Sequence, residues 1–268
     1  KIYTFEKITP AGIELVNSGL LGNLFREGLS LITYFGHSSA SSMEYNLDDP
    51  SIYSNDGKYP LFIANGCNAG NFFAYDTLRL TGARRAITEN YILTPNKGSI
   101  GFLASTHLGI VNYLNNYTNN FYNKISRENY ASPIGVMQTN VLRDIANPTG
   151  TIDFFNQITV EQLLLNGDPA VTLYPHPLPD YVVEEPLIKV NPTNLNVTYS
   201  SFNLDVKFQN IGKVSKDSVR VKIVRQKADG VEDVLFDEMR KAVNHSDSIQ
   251  LSVAIDPLKD RGQNKIIV

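Results

Sequence analysis

The chain has 268 residues, a formal net charge of −3, 42% hydrophobic residues and 19% charged residues. That length holds two cores of ordinary size, and the balance is that of a globular protein, not a disordered one. Mild acidity without a clustered basic face argues against a nucleic-acid binder. No apolar run reaches the roughly 20 residues of a membrane span.

A single cysteine rules out an internal disulfide and taken alone leans cytosolic. No two of the histidines, His37, His107, His176 and His245, lie at short ligand spacing, and CxxC, HExxH and EF-hand patterns are missing. Structural zinc is set aside on that ground. The chain begins with Lys1, not Met, and reads as a mature or trimmed fragment, so a missing leader says nothing of location.

In chain order, Thr9-Pro10 opens a helical period that runs through Ile13, Val16, Leu20 and Leu24 to Gly28, with proline and glycine as start and stop signals. LSLITYF (29–35), PLFIA (60–64) and SIGFLA (99–104) are short apolar runs without alternation, as in strands buried on both faces of a parallel sheet. Residues 109–125 read as a second helix. Ser132-Pro133 starts a third, and 159–165 suggests a fourth, stopped by Asn166-Gly167-Asp168-Pro169. Residues 171–174 look like a last short strand. Strand-helix alternation favours a layered α/β fold.

Near residue 175 the character changes. PHPLPDYVVEEP (175–186) holds four prolines in twelve residues, which no helix or central strand continues, and reads as a linker. Beyond it the period drops to two: NLNVTY, FNLDVKF, SVRVKIV, DVLFDEM, IQLSVAI and NKIIV alternate, with turns at 210–212 and 228–230. That spacing argues for a β-sandwich. The expected domains are 1–176, a linker over 177–186, and 187–268.

In an open parallel sheet, ligands gather outside the carboxyl ends of the strands. Two predicted strand ends carry reactive groups: His37 follows Gly36, and Cys67 follows Gly66. Thirty residues separate them, enough for one crossover. If the strands are neighbours, an imidazole and a thiol emerge together, the minimal base-nucleophile pair. The glycines let backbone N–H groups approach a substrate carbonyl. Against this, a lone cysteine is most often a small buried hydrophobe, and a lone histidine after a strand a hydrogen-bonded loop residue.

GHSS (36–39) followed by NGCNAGNF (65–72) resembles the gingipain family of cysteine peptidases, grouped with caspases and legumains. KGSIGFLASTHLG (97–109) is similar to that family's next core strand and loop, and LLLNGDPAVTLY (163–174) to its closing segment. The resemblance implies a caspase/gingipain-like three-layer αβα domain with a mostly parallel sheet, preceded by a further N-terminal subdomain and followed by an immunoglobulin-like β-sandwich. It implies Cys67 as nucleophile, His37 as general base and acid, and backbone N–H groups of Ser38 and Cys67 as the oxyanion hole. Gly36, Gly66, Ser105 and Thr106 become candidates for the substrate pocket. Ser38 departs from the family's usual glycine, and the acid that orients the histidine has no match.

The resemblance further implies a protein or peptide substrate, hydrolysis or transpeptidation, and a secreted or cell-surface location. Its branch of type IX secretion signal peptidases or sortases, which cleave C-terminal targeting domains, would add secretion-system components as partners. No cofactor is required. Structural calcium occurs in the family, with Asp48-Asp49 as the stretch to inspect, although no loop has a ligand pattern. Glu44, Asp48 and Asp49 otherwise read as a solvated loop, and His107 as an alternative base without the motif. The rival reading is a catalytically inactive scaffold of the secretion machinery that keeps the peptidase fold.

Overall fold

The computed structural model describes residues 2–7, 15–73, 85–146, 150–173 and 176–268. The chain divides into two compact units, Lys1–Tyr174 and Pro175–Val268.

The first unit is built on one sheet. Strands β1 (Leu31–Phe35), β2 (Leu61–Asn65) and β3 (Gly101–Ser105) are parallel, and β4 (Leu163–Gly167) closes the far edge antiparallel to β3. Every residue of β2 and β3 is buried, because helices cover both faces. On one face Phe62 and Ala64 join Phe102 and Ala104 against Phe25 of α1 (Leu15–Glu27) and Ile87 and Tyr91 of α2 (Ile87–Leu93). Phe62 stacks on Phe102 with ring centroids 4.3 Å apart, and Tyr91 meets both edge-on. On the other face Leu61, Ile63 and Leu103 pack against Leu114, Tyr117 and Phe121 of α3 (Val111–Asn123) and Ile134, Met137 and Val141 of α4 (Ile134–Ala146). Period-two alternation within an all-apolar run thus feeds two cores at once.

Helix α1 stops where the sequence signals it: Gly28 takes φ +108° and donates to Leu24 O at 2.9 Å. Its expected start at Thr9-Pro10 lies outside the described residues. The chain departs from expectation after residue 153. Helix α5 is Phe154–Gln162, its first amides capped by the Asp153 carboxylate. Leu163 then enters the core, and 163–167 run as β4 along β3. The expected fourth helix over 159–165 is therefore half strand. Asn166 and Gly167 belong to that strand, not to a turn ahead of one. The expected strand at 171–174 reduces to one bridge, Thr172 to Pro133, with residue 174 outside the described residues. Helix α2 follows Ala86, a residue with no side-chain cap to mark it in the sequence.

In the second unit β7 (Ser201–Asn210) pairs antiparallel with β10 (Ser246–Ala254) on one side and with β5 (Tyr181–Val182) and β6 (Ile188–Asn191) on the other. The second sheet has the order β11-β8-β9, from Lys265–Ile267, Val219–Gln226 and Glu232–Arg240. Phe202, Leu204, Val206 and Phe208 of β7 share one core with Val221 and Ile223 of β8 and Ile249 and Val253 of β10, so the two sheets face each other. The proline-rich stretch carries strand structure of its own at β5. NLNVTY forms no strand: Asn196 accepts from Thr198 N–H at 2.9 Å through its side chain, a local turn that competes with a ladder. Arg225 and Lys227 are laced to Asp233 and Asp260 at 2.8–3.1 Å, with Arg225 and Asp260 almost fully enclosed.

Candidate active site

Strands β1 and β2 are parallel neighbours, with Phe35 opposite Asn65. Gly36 N–H donates to Asn65 O at 3.1 Å, so pairing runs one residue past the strands. His37 and Cys67 follow at the same offset, each two residues beyond the last matched pair. Neighbouring strands run about 4.8 Å apart, so both residues leave the sheet at one place on its carboxyl edge.

Three backbone approaches build the site. The first joins the His37 turn to the cysteine turn: Ser38 Oγ donates to Cys67 O at 2.7 Å. A Cβ at Gly66 would stand 2.2 Å from Ser38 Oγ and 2.7 Å from Gly36 O, so this approach requires glycine. The second fixes the His37 turn from below. The Tyr34 phenol donates to His37 O, and burial above all pushes its pKa up to about 12, so it stays a neutral donor at ordinary pH. Ser39 N–H donates to Ser42 O at 2.9 Å, and Met43 plugs into the core. The third comes from the loop after β3. Asn68, in the left-handed region at φ 58°, donates its N–H to His107 O at 2.8 Å, and Gly70 N–H donates to Ser105 O at 2.9 Å. Gly109 N–H donates to Cys67 Sγ at 3.3 Å.

Cys67 is a free, half-buried thiol. His37 is exposed, and its imidazole has no hydrogen-bond partner among the described residues. Among the described residues, no backbone or side-chain acceptor takes the N–H of Ser38 or of Cys67. Ser105 is 1% exposed, and its hydroxyl lies 3.0 Å from His107 O and 3.2 Å from Gln162 Oε1, where it holds the loop. Thr106 is half-buried and donates its N–H to Gln162 O at 3.0 Å. His107 accepts at Nδ1 from Leu108 N–H at 2.7 Å.

Two acids of the following loop, Glu44 and Asp49, have other partners. Glu44 is paired with Lys7 at 2.6 Å. Asp49 accepts from Ser51 N–H at 2.8 Å and caps a 3-10 turn at Pro50–Ile52. Among the described residues no three His, Cys, Asp or Glu side chains gather as metal ligands. Asn71 and Phe72 continue the cysteine turn, Asn71 N–H donating to Asn68 O at 2.9 Å. Two contacts were missed in the sequence: the Ser38 hydroxyl on Cys67 O, and Gly109 on the sulfur. The signal for the second was the glycine itself, whose Cβ would lie 2.5 Å from Leu114 Cδ1 and 3.2 Å from Gly66 O.

A three-layer α/β unit with a thiol and an imidazole at neighbouring strand ends has the layout of a cysteine peptidase. Residues 2–174 match the model of peptidase family C25, and the chain belongs to that family, the gingipains. Among solved structures it is similar to the complex of Porphyromonas gingivalis RgpB pro- and mature domains, with 14% identity, a TM-score of 0.50, and coverage of 92% of this chain and 52% of that one. It is also similar to the Arg specific cysteine proteinase gingipain R (RgpB), with 15% identity, a TM-score of 0.49, and coverage of 92% and 50%. The chain thus spans about half the length of these structures. No curated protein matches it. No helix among the described residues is long and apolar enough to cross a membrane.

Proposed function

We propose that the chain carries the catalytic dyad of a cysteine endopeptidase, with Cys67 as nucleophile and His37 as general base and acid. The observation that supports it most is their equal offset beyond the matched ends of parallel β1 and β2. His37 takes the thiol proton, and Sγ attacks the scissile carbonyl carbon. The carbonyl oxygen takes up the negative charge, opposite the N–H groups of Ser38 and Cys67, which have no partner of their own among the described residues. As the C–N bond breaks, His37 gives its proton to the leaving amine, and a thioester remains. His37 then takes a proton from water, whose oxygen attacks the thioester; the thiolate leaves and is reprotonated by His37. An incoming amine in place of water gives transpeptidation by the same steps.

The sequence motifs support a narrower reading: a type IX secretion signal peptidase or sortase that cleaves C-terminal targeting domains, at the cell surface or secreted. We read the second unit as immunoglobulin-like, on the ground of two facing antiparallel sheets, and as the surface that would meet secretion components. The chemistry needs no cofactor; bound calcium would serve structure only.

The test is cleavage of a denatured protein by the chain and by its Cys67→Ala and His37→Ala variants, with new N-termini read by mass spectrometry. Cleavage is expected from the unsubstituted chain alone. Undiminished cleavage by Cys67→Ala would sink the assignment.

A further inference from the structure

The loop that touches the sulfur is apolar and exposed. Gly109 donates to Cys67 Sγ, and its neighbours Leu108 (58% exposed), Ile110 (36%) and Val111 (64%) face solvent. Phe155, 44% exposed at the start of α5, continues this surface through its ring contact with Tyr113, two residues beyond Val111. Single exposed apolar residues are ordinary, but a run of them beside a reactive atom marks a binding surface. The surrounding sequence is also uncharged. Residues 98–123 and 60–73 contain no Asp, Glu, Lys or Arg. The acid nearest in sequence to His37, Glu44, is already paired with Lys7. A basic or acidic side chain lodged against residues 108–111 would lose water and meet no opposite charge on that loop, the Asp153 carboxylate beside Phe155 being engaged in capping α5, at a cost in free energy. An apolar side chain would gain by covering the exposed carbons.

Resting on the peptidase reading above, we propose that Leu108, Ile110 and Val111 form the wall that selects the residue giving the scissile carbonyl, and that this residue is a large apolar one such as Leu or Phe, not Arg, Lys or Asp. The substrate class is therefore polypeptide cut after an apolar side chain.

The experiment uses the full chain and peptidyl chloromethyl ketones of one sequence, differing only in ending with Phe, Leu, Arg or Asp. The rate of adduct formation on Cys67 is read by mass spectrometry and divided by the rate with iodoacetamide, which offers no side chain. The Phe and Leu reagents are expected to react at least about tenfold faster than the Arg and Asp reagents, the scale set by one or two buried methylenes. An Arg or Asp reagent as fast as Phe overturns the proposal and leaves the dyad intact. No peptidyl reagent outpacing iodoacetamide, with the same rates in His37→Ala, overturns both. Leu108→Asp, at an exposed position, is expected to cut the Phe-to-Arg ratio about tenfold; an unchanged ratio removes Leu108 from the wall.

Discussion

Gly66→Ala tests the joint between the two halves of the site. The new methyl would stand 2.2 Å from Ser38 Oγ and 2.7 Å from Gly36 O, where ordinary contact begins at 3.4 Å. The hydroxyl can rotate away, but the carbonyl is backbone, so the His37 turn must retreat by about 0.7 Å. Overpacking of this kind costs about 1–3 kcal/mol, and loss of the Ser38–Cys67 hydrogen bond adds about 1 kcal/mol. Together these lower Tm by roughly 5–15 °C in a unit of this size. The chemical loss is larger, because a displacement near 1 Å in a reacting pair costs about a hundredfold in rate. Thermal unfolding and the rate of Cys67 alkylation measure the two effects separately. Adding Ser38→Gly removes the hydroxyl clash but leaves Gly36 O in place, so stability should recover in part and the alkylation rate little. Wild-type stability and rate in Gly66→Ala would refute the close approach on which the site is built.

Tyr34→Phe removes the donor to His37 O and should destabilise by about 1 kcal/mol while slowing Cys67 alkylation; an unchanged rate would mean the phenol does not set the His37 turn. Because the folded value of Tyr34 is raised to about 12, its contribution is full below about pH 10 and is lost as pH climbs toward 12, so alkaline melts of the two proteins should converge there. Phe62→Ala removes the ring that packs on both Phe102 and Tyr91 and should cost about 3–5 kcal/mol in denaturant unfolding; a loss below about 1 kcal/mol would contradict the packed two-faced sheet. In the second unit, hydrogen bonds from Arg225 and Lys227 hold Asp233 below the usual carboxylate range. Burial raises Asp260, but the Asp256 N–H, Lys227 and Arg225 outweigh it and hold that carboxyl low as well. Both contributions are present above about pH 4 and lost as pH falls through the folded values, so this unit should lose stability progressively below about pH 4, and Asp260→Asn should flatten that dependence.

The parts of the fold legible in the sequence are those where one physical signal acts alone. β2 and β3 are apolar at every position because both faces are covered, and α1 announces its end with Gly28. The unread parts have competing signals. Helix α2 has Ala86 at its N-cap, and its reciprocal bond runs from Ala86 N–H to the Glu89 carboxylate at 2.7 Å, so the usual Ser, Thr or Asp marker is missing. Leu163–Gly167 continues the composition of α5 without a break, and only the open edge of β3 turns it into a strand. NLNVTY alternates like a strand, but Asn196 folds it locally. At the site, Cys67 and His37 could be read from strand ends, since a glycine and a reactive side chain follow each apolar run. The Gly109 contact is marked in the sequence only by the glycine itself, and its partner depends on how the loop after β3 folds back across the cysteine turn.

The central claim is that His37 activates Cys67. It is tested most directly by the rate at which iodoacetamide alkylates Cys67 near neutral pH in the unsubstituted chain and in His37→Ala, the adduct being located by mass spectrometry. The account expects fast labelling that falls roughly a hundredfold in the variant, the scale of a lost general base. Slow and equal labelling in both proteins would contradict it, leaving Cys67 an ordinary thiol at a strand end.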